Sequence, residues 1–307
     1  MISAIPLLAA CLVSQTSARA VTYNFSYLND PLAGTGPGQG TRAAGIYGNT
    51  VVGQYTDSSQ HTHGFIYNGS TFTTLDDPLA SGVTTAWGVY SNNVVGYYRD
   101  SQGANHGFLY NGSSYITLDD PQGANGSMAF GIYGNTVVGN YFDSGYSSHP
   151  FLYNGSSYTT LAGYPGGGAT YAYGISGSTV AGFYSSPGYY GFTYNGSTYS
   201  TVPGSANYLP NGIDGNAIVG TQIAANGSDY GFVYDGSTYS IVDPPGTQHL
   251  AGVGSEVEGV SGDTLVGYYR DANGVMHGFL ATPAPEPPSL SLAAVAAVIC
   301  FRLRRRP

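Results

Sequence analysis

Residues 44–75 read AGIYGNTVVGQYTDSSQHTHGFIYNGSTFTTL, and the fold class can be predicted from this segment. Short runs rich in Ile, Val, Tyr and Phe alternate in it with Gly-Asn, Asn-Gly and Ser-containing segments, which is the pattern of β-strands separated by turns. Asn68-Gly69 is a strong hairpin signal, because a type I′ turn needs positive φ at both central residues. The stretch therefore predicts four short antiparallel strands.

The same unit recurs along the chain, with three anchors in step. The first glycine anchor precedes Ile or Val, and it stands at Gly45, Gly88, Gly131, Gly174, Gly212 and Gly259. The second ends a Val-Val-Gly-like run at Gly53, Gly96, Gly139, Gly182, Gly220 and Gly267, and the third is Phe65, Phe108, Phe151, Phe192, Phe232 and Phe279. Units of about 40–45 residues with four strands are typical of propeller blades. We predict an all-β, six-bladed β-propeller of four-stranded blades.

The repeats lie near residues 43–78, 84–121, 127–163, 170–203, 210–244 and 257–282, and the last one lacks a fourth strand. Residues 22–31 supply a matching segment, since Tyr23–Leu28 is followed by Asp-Pro as other fourth strands are. We expect this N-terminal strand to pair into the last blade and close the ring, which gives one domain over residues 21–282 and hides sheet edges. A stacked β-solenoid is the alternative, and it would not need this strand.

Composition excludes several functional classes. Charged residues make up 8% of the chain, there is no Lys, and the formal net charge is −9. A coiled coil or helical bundle needs abundant Ala, Glu, Lys and Leu, and a nucleic-acid-binding protein needs a basic surface. Neither class fits, and we expect no nucleic-acid partner.

The N-terminus has the pattern of a secretory signal peptide. Residues 1–20 contain an apolar run and end in Ala18-Arg19-Ala20, an A-x-A cleavage pattern. The competing interpretation is a lipobox, because Leu8-Ala9-Ala10-Cys11 has suitable residues. Either interpretation predicts export.

The C-terminal segment, residues 283–307, combines a short motif, an apolar stretch and a basic tail. These elements are Pro285-Glu286-Pro287, Ser289 to Phe301, and the four arginines Arg302, Arg304, Arg305 and Arg306. The order resembles the PEP-CTERM sorting signal of exported bacterial proteins. The resemblance implies retention in the inner membrane, processing by an exosortase-type enzyme and a final place at the cell surface or outside the cell. An ordinary C-terminal membrane anchor is the alternative, although the apolar stretch is short for a span of about 20 residues.

The repeats also resemble the HAF family of extracellular repeats. The resemblance rests on Gly45-Ile46 through Val51-Val52-Gly53 and on His63-Gly64-Phe65-Ile66-Tyr67, with later copies at His106-Gly107-Phe108 and His277-Gly278-Phe279. The chain departs from the pattern in having Gly where the family name has Ala. The family implies a repeat fold and export, and it implies no particular ligand or activity.

Strand order places the loops after the second and fourth strands of each blade on one face, which we call the loop face. Acidic residues concentrate in these loops. They are Asp57, Asp76, Asp77, Asp100, Asp119, Asp120, Asp143, Asp243 and Asp271, with Asp30 in the N-terminal segment. Such an acidic rim suits Ca²⁺ or a cationic ligand, because hard cations need several oxygen ligands. The alternative is a set of solvated turn residues, and no D-x-D-x-D-G calcium loop occurs in the sequence.

Four units place a His before Gly-Phe or Pro-Phe, namely His63, His106, His149 and His277. Equivalent positions on different blades are too far apart to share one ion, and we take each unit to offer a single imidazole. We therefore predict a structural role for these residues, in which the side chain ties the loop after the second strand to its blade.

The sequence predicts no catalytic residues and no cofactor other than a possible Ca²⁺. It contains no G-x-S-x-G, H-E-x-x-H or P-loop motif. The favoured function is a non-enzymatic surface or matrix protein that binds or scaffolds polysaccharide, since exposed Tyr rings stack on sugars. The alternative is a glycan-active hydrolase or lyase with paired Asp residues on the acidic face. The loop from Thr247 to Glu256, with His249, is the segment that departs most from the repeat.

Overall fold

The computed structural model describes residues 21–285 and contains 24 strands. Strand β1 (Tyr23–Leu28) precedes six units. Blade 1 contains β2 (Gly40–Tyr47), β3 (Thr50–Thr56), β4 (Thr62–Tyr67) and β5 (Phe72–Leu75), and blade 2 contains β6 (Val83–Tyr90), β7 (Asn93–Arg99), β8 (Asn105–Tyr110) and β9 (Tyr115–Leu118). Blade 3 contains β10 (Ser127–Tyr133), β11 (Thr136–Phe142), β12 (Ser148–Tyr153) and β13 (Tyr158–Thr160).

Blades 4 and 5 have the same antiparallel order of four strands. They contain β14 (Thr170–Ser176), β15 (Thr179–Ser185), β16 (Tyr189–Tyr194) and β17 (Tyr199–Ala206), followed by β18 (Tyr208–Asp214), β19 (Ala217–Ile223), β20 (Asp229–Tyr234) and β21 (Tyr239–Val242). Blade 6 contains β22 (Ser255–Ser261), β23 (Thr264–Arg270) and β24 (Met276–Pro283). The predicted all-β, propeller-like fold is confirmed.

Each blade is built around one buried Phe, the third anchor of the repeat. The six phenylalanines are at most 1% exposed. The second glycine anchor makes room for this ring: a Cβ on Gly53 would lie 2.8 Å from the ring of Phe65, and a Cβ on Gly139 would lie 2.6 Å from that of Phe151. Because real Cβ atoms do not approach so closely, the Gly and the Phe recur together as one packing unit.

The first glycine anchor lies on the inner strand of each blade and contacts the next blade. A Cβ on Gly45 would lie 2.4 Å from the carbonyl oxygen of Trp87 in blade 2. A Cβ on Gly259 of blade 6 would lie 2.8 Å from the carbonyl oxygen of Ala44 in blade 1. The six inner strands therefore pack backbone to backbone around a common axis, and the sixth also contacts the first.

The N-terminal strand occupies the outer position of blade 6. β1 pairs antiparallel with β24 in an unbroken register from Tyr23↔Pro283 to Leu28↔Gly278. Leu28 is 4% exposed, and the ring of Phe25 meets that of Phe279 edge-on at 5.6 Å. The predicted strand pairing is therefore present. Within residues 21–285 the sheets stay open, and none closes on itself as a barrel does.

The Asn-Gly hairpins differ from the predicted type I′ turn. Tyr67 pairs with Phe72, so the loop has four residues, and only Gly69 of the Asn-Gly pair has positive φ, at 96°. Asn68 Oδ1 accepts hydrogen bonds from the backbone N–H groups of Ser70 and Thr71, at 3.0 and 2.9 Å. Asp235 does the same in blade 5. The Asx side chain selects this turn, which explains why Asp replaces Asn there.

No helix in the described part of the chain is long and apolar enough to cross a membrane. The predicted signal peptide lies outside the described residues, as does the sorting segment from Glu286 onward. Their assignment stays a prediction.

Candidate functional site

Five blades carry a His–Asp hydrogen bond on the loop face. The bonds join His63 Nδ1 to Asp76 (2.8 Å), His106 Nδ1 to Asp119 (2.8 Å), His149 Nε2 to Asp143 (3.0 Å), His249 Nε2 to Asp243 (3.1 Å) and His277 Nε2 to Asp271 (3.2 Å). In blade 2 the imidazole of His106 also reaches Asp100, at 3.4 Å. The predicted tie between the blade and the loop after its second strand is present in blades 2, 3 and 6, through Asp100, Asp143 and Asp271. In blade 1 the hydrogen bond of His63 instead goes to Asp76, after the fourth strand.

Each of these imidazoles also stacks on a Tyr ring. His63 lies on Tyr55 with 4.9 Å between ring centroids and 22° between ring planes. Blade 5 has Tyr230 at the usual His position, and there His249 from the following loop stacks on it at 4.4 Å. The loop face is thus held by the same His–Tyr pair even where the sequence positions are exchanged.

The acids of the predicted rim fall into two groups. The seven that face an imidazole are Asp57, Asp76, Asp100, Asp119, Asp143, Asp243 and Asp271. In contrast, Asp77 and Asp120 are 4% and 3% exposed and lie beneath the surface, as does Asp30 at 5%. The rim is therefore smaller than the sequence suggested.

Buried and exposed acids differ in their chemistry. Burial raises the pKa of Asp30 and Asp77, and one carboxylate oxygen of each has no hydrogen-bond partner among the described residues. The backbone N–H groups of Ala104 and Gln102 lower the pKa of Asp100. The acids that face an imidazole are spread over five blades: Asp57 and Asp76 share His63, Asp100 and Asp119 share His106, and each of the other three faces one imidazole. Calcium binding by the rim stays a prediction.

A second cluster, the axial cluster, lies on three inner strands and on β23, and it breaks the repeat. It consists of Arg42, Glu256, Glu258, Tyr268 and Trp87. Arg42 donates through Nε to Glu258 at 3.1 Å, and Glu256 lies 3.8 Å from its guanidinium. The guanidinium carbon sits 4.6 Å from the ring centroid of Trp87 and 4.7 Å from that of Tyr268, which donates to Glu256. One Arg is thus held by two carboxylates and two aromatic faces.

Glu258 is the unusual member of the axial cluster. It is 4% exposed, and its Oε2 has no hydrogen-bond partner among the described residues. Burial raises the pKa of Glu258 to about 7, against the lowering effect of Arg42 and with a further raising effect of Glu256. A buried carboxyl of this kind changes charge near neutral pH.

The sequence carries a signal for the axial cluster in the residue beside each first glycine anchor. The residue before the first glycine anchor differs in every unit: Ala44, Trp87, Phe130, Tyr173, Asn211 and Glu258. In the structure these residues surround a small axial cavity of about 80 Å³. A position that differs in all six units, next to a glycine that is the same in all six, indicates where single blades have their own packing or function. That cavity is too small for a sugar and suits water-sized occupants.

A larger opening, the inter-blade cleft, lies where blade 3 leads into blade 4. It has a volume of about 520 Å³, and its lining is Ala162, Gly163, Tyr164, Pro165, Tyr194, Ser197, Thr198 and Tyr199. The segment after β13 forms one wall and departs from the Asp-Asp-Pro pattern of blades 1 and 2. A neighbouring cavity of about 420 Å³ shares Gly163 and includes Tyr146, which is 75% exposed.

The tyrosines of the inter-blade cleft are held by one another. The ring of Tyr164 stacks on that of Tyr184 at 3.7 Å and 5°, and its hydroxyl lies 2.5 Å from Thr201 Oγ1. Tyr199 donates to the carbonyl of Ala162 and meets Tyr194 at 4.6 Å. No charged side chain lines this cleft. It is a neutral, aromatic, hydroxyl-bearing surface.

The segment proposed for an enzyme does not form one site. His249 contacts Asp243 and Tyr230, whereas Glu256 turns to Tyr268 and Arg42. Sequence reasoning selected both residues as one candidate, and the structure places them in the rim and in the axial cluster respectively.

Comparison with known proteins gives a likeness of fold. No protein-family model and no curated protein matches the chain, so the HAF and PEP-CTERM resemblances stay predictions. The SapL1 lectin, solved with alpha methyl fucoside, has a TM-score of 0.53 at 15% identity, with 83% of this chain and 98% of that chain covered. A mutant Aleuria aurantia lectin bound to Fucalpha1-6GlcNAc has a TM-score of 0.51 at 14% identity, with 78% and 94% covered.

A third similar structure is an enzyme. A mutant Trypanosoma rangeli sialidase with trans-sialidase activity has a TM-score of 0.52 at 11% identity, and the match covers 86% of this chain but 60% of that one. At such low identity these likenesses show the fold, an all-β propeller, and leave the choice between binding and catalysis to the site itself.

Proposed function

We propose that this protein is an exported, non-enzymatic propeller that binds carbohydrate, with the inter-blade cleft as its binding site. The observation that carries the proposal is the lining of the cleft, in which Tyr164, Tyr194 and Tyr199 surround about 520 Å³ without a charged side chain. This volume is in the usual range for small-ligand sites, about 300–1,000 Å³.

The chemistry of the lining suits a neutral sugar. A pyranose ring has apolar C–H faces that stack on aromatic rings, and its hydroxyls need donors and acceptors at the ring edge. The hydroxyl oxygens of Ser197 and Thr198 line the cleft and supply acceptors, since both hydroxyls donate their protons to Asn195 Oδ1. A neutral cleft in a chain of net charge −9 favours neutral over acidic sugars, since no cation in the lining would bind a carboxylate.

The similar solved structures include two lectins that were solved in complex with fucose-type ligands. That likeness supports a sugar-binding role without indicating which sugar. The composition of the cleft lining supports binding over catalysis, because it lacks the pair of carboxylates that glycoside hydrolysis normally uses.

The place of action follows from the two ends of the chain. The signal-like residues 1–20 and the PEP-CTERM-like segment 283–307 support export, with an exosortase-type enzyme as processing partner and an exopolysaccharide layer as the final surroundings. The proposed binding partner is thus a polysaccharide outside the cell.

A glycan array run beside a hydrolysis screen tests this function. Tyr194→Ala removes one wall of the cleft, and Tyr153→Ala is its matched control, because Tyr153 makes the same tilted pair with Tyr158 at 4.7 Å but lies outside the cleft lining. We expect array binding to be lost in the first variant and kept in the second. Equal binding by both variants, or release of reducing sugar by the wild type, would contradict the proposal.

A further inference from the structure

Blade 1 carries a second imidazole in the loop between β3 and β4. Asp57 Oδ2 lies 3.8 Å from His61 Nδ1 and 3.6 Å from His63 Nε2. One ligand atom from each of the three residues lies within 4.8 Å of the others. This corrects the expectation of one imidazole per unit.

Two of the three side chains are already held in place. Asp57 accepts the backbone N–H groups of Ser59 and His61 through its other oxygen, at 2.8 and 2.9 Å. His63 Nδ1 lies 2.8 Å from Asp76, and its ring stacks on Tyr55. A carboxylate that accepts Nδ1–H leaves the lone pair on Nε2, the atom that faces Asp57, and this is the usual second-shell arrangement of a metal-binding His.

We propose that Asp57, His61 and His63 bind a divalent metal ion, for which Zn²⁺ is the best fit, with a water molecule as the fourth ligand. Two imidazoles and one carboxylate suit Zn²⁺, whereas Ca²⁺ prefers oxygen ligands alone. Tetrahedral bonds of about 2.0–2.1 Å place ligand atoms about 3.3 Å apart. The two separations from Asp57, 3.8 Å to His61 and 3.6 Å to His63, are a few tenths of an ångström longer than this. The His61 side chain is 59% exposed and has room to move toward the ion.

Blade 2 repeats the arrangement without the third ligand. Asp100 accepts the N–H groups of Gln102 and Ala104, and His106 lies between Asp119 at 2.8 Å and Asp100 at 3.4 Å. Ala104 stands where blade 1 has His61, since both residues donate their N–H to the loop Asp four positions earlier. The chain therefore contains its own control, and the site can be removed from one blade and built into another.

Isothermal titration of the purified full-length chain with ZnCl₂ tests the site, with Cys11 and Cys300 alkylated beforehand. We expect one equivalent bound by the wild type, none by His61→Ala, and two by Ala104→His. Asp76→Asn keeps all three ligands but removes the second-shell carboxylate, and it should weaken binding about 10–100-fold. Visible absorption with CoCl₂ should show tetrahedral bands in the wild type and none in His61→Ala.

The outcome is decided by stoichiometry, so it does not depend on glycan binding at the cleft between blades 3 and 4. Melting curves in EDTA check that the variants fold, and we expect them to coincide with the wild type because His61 and Ala104 lie at the surface or close to it. Zinc binding by His61→Ala equal to that of the wild type would overturn the proposal, as would an Ala104→His chain that still binds one equivalent.

Discussion

The loop face and the axis of this molecule use the repeat in opposite ways. On the loop face, five blades carry a His–Asp hydrogen bond and a His–Tyr stack, although the position of the bonded acid differs between blades. At the axis, six constant glycines bring the blades together, while the residue beside each glycine is different in every blade. The axial cluster of Arg42 and Glu258 therefore occurs once.

The contrast between the loop face and the axis indicates where function lies in a repeat protein. Features copied into most blades, such as the His–Asp bond, hold each loop to its own blade. Features that are not copied between the described blades, such as the axial cluster and the second imidazole at His61, are where one blade acquires chemistry that the others lack. Four predictions test this division between the axis and the periphery.

The largest expected effect concerns what holds blade 6 in the ring. Deleting residues 21–31 removes β1 and exposes the edge of β24 while leaving the axial contact of Gly259 in place. We expect a loss of several kcal/mol and a fall in Tm of about 10 °C or more, since each kcal/mol corresponds to about 2–4 °C at this size. Differential scanning calorimetry measures the change.

Two point variants in β1 separate the contribution of its buried side chains from that of its exposed ones. Leu28→Ala removes a buried side chain of β1 and should cost about 2–5 kcal/mol, whereas Tyr27→Ala, at a residue 47% exposed, should cost less. A deleted chain that melts like the parent would mean that axial packing alone holds blade 6.

The second prediction tests the axis directly. Gly45→Ala places a Cβ 2.4 Å from the carbonyl of Trp87, which is backbone and yields only if the blades separate. We expect destabilisation of about 1–3 kcal/mol or more. Gly163→Ala is the control, because its Cβ would meet nothing nearer than a hydroxyl at 3.5 Å. Equal urea midpoints for the two variants would show that the axial glycines are not needed for close approach.

The third prediction concerns the charge of the axial cluster. Burial raises the pKa of Glu258 from 4.5 to about 7, so the folded state binds more protons than the unfolded state between these values. Stability contributed by the protonated form is present below pH 4.5 and is lost as pH rises towards 7. The wild type should therefore lose up to about 3 kcal/mol relative to Glu258→Gln over this range.

Urea unfolding of both chains at several pH values measures this difference. Gln keeps an acceptor oxygen for Arg42, so the comparison isolates the titrating group. A stability difference that stays constant from pH 4.5 to 8 would contradict the assignment.

The smallest effect is expected on the loop face. The carboxylates of Asp119 and Asp100 outweigh burial and raise the pKa of His106. The stabilisation is present below pH 6.5 and is lost as pH rises through the higher folded value. His106→Gln should remove a contribution below about 1 kcal/mol, because the pair is partly solvated. NMR titration of the imidazole gives the pKa, and a value at or below 6.5 would contradict the bond.

The architecture could be predicted from the sequence because the anchor residues pack within one blade and recur at the same spacing in each unit. Gly53 and Phe65 specify each other by packing within one blade, and the orphan segment Tyr23–Leu28 matches a missing fourth strand. The type I′ turn was wrong, since the Asn68 side chain selects a four-residue loop that the dipeptide alone does not distinguish. The rim was overestimated, because adjacent acids such as Asp76 and Asp77 face opposite ways in the chain's extended backbone.

The amino-acid sequence alone specifies the number of blades, their four strands and the pairing of the first strand with the last. These follow from periodicity, because each unit repeats the same local packing. Only the tertiary structure decided which residues share the axis, that Arg42 meets Glu258 across 216 positions, that the junction after β13 opens into a cleft, and that His61 turns toward Asp57. Such contacts depend on how blades and loops are placed in space, and no periodic pattern specifies them.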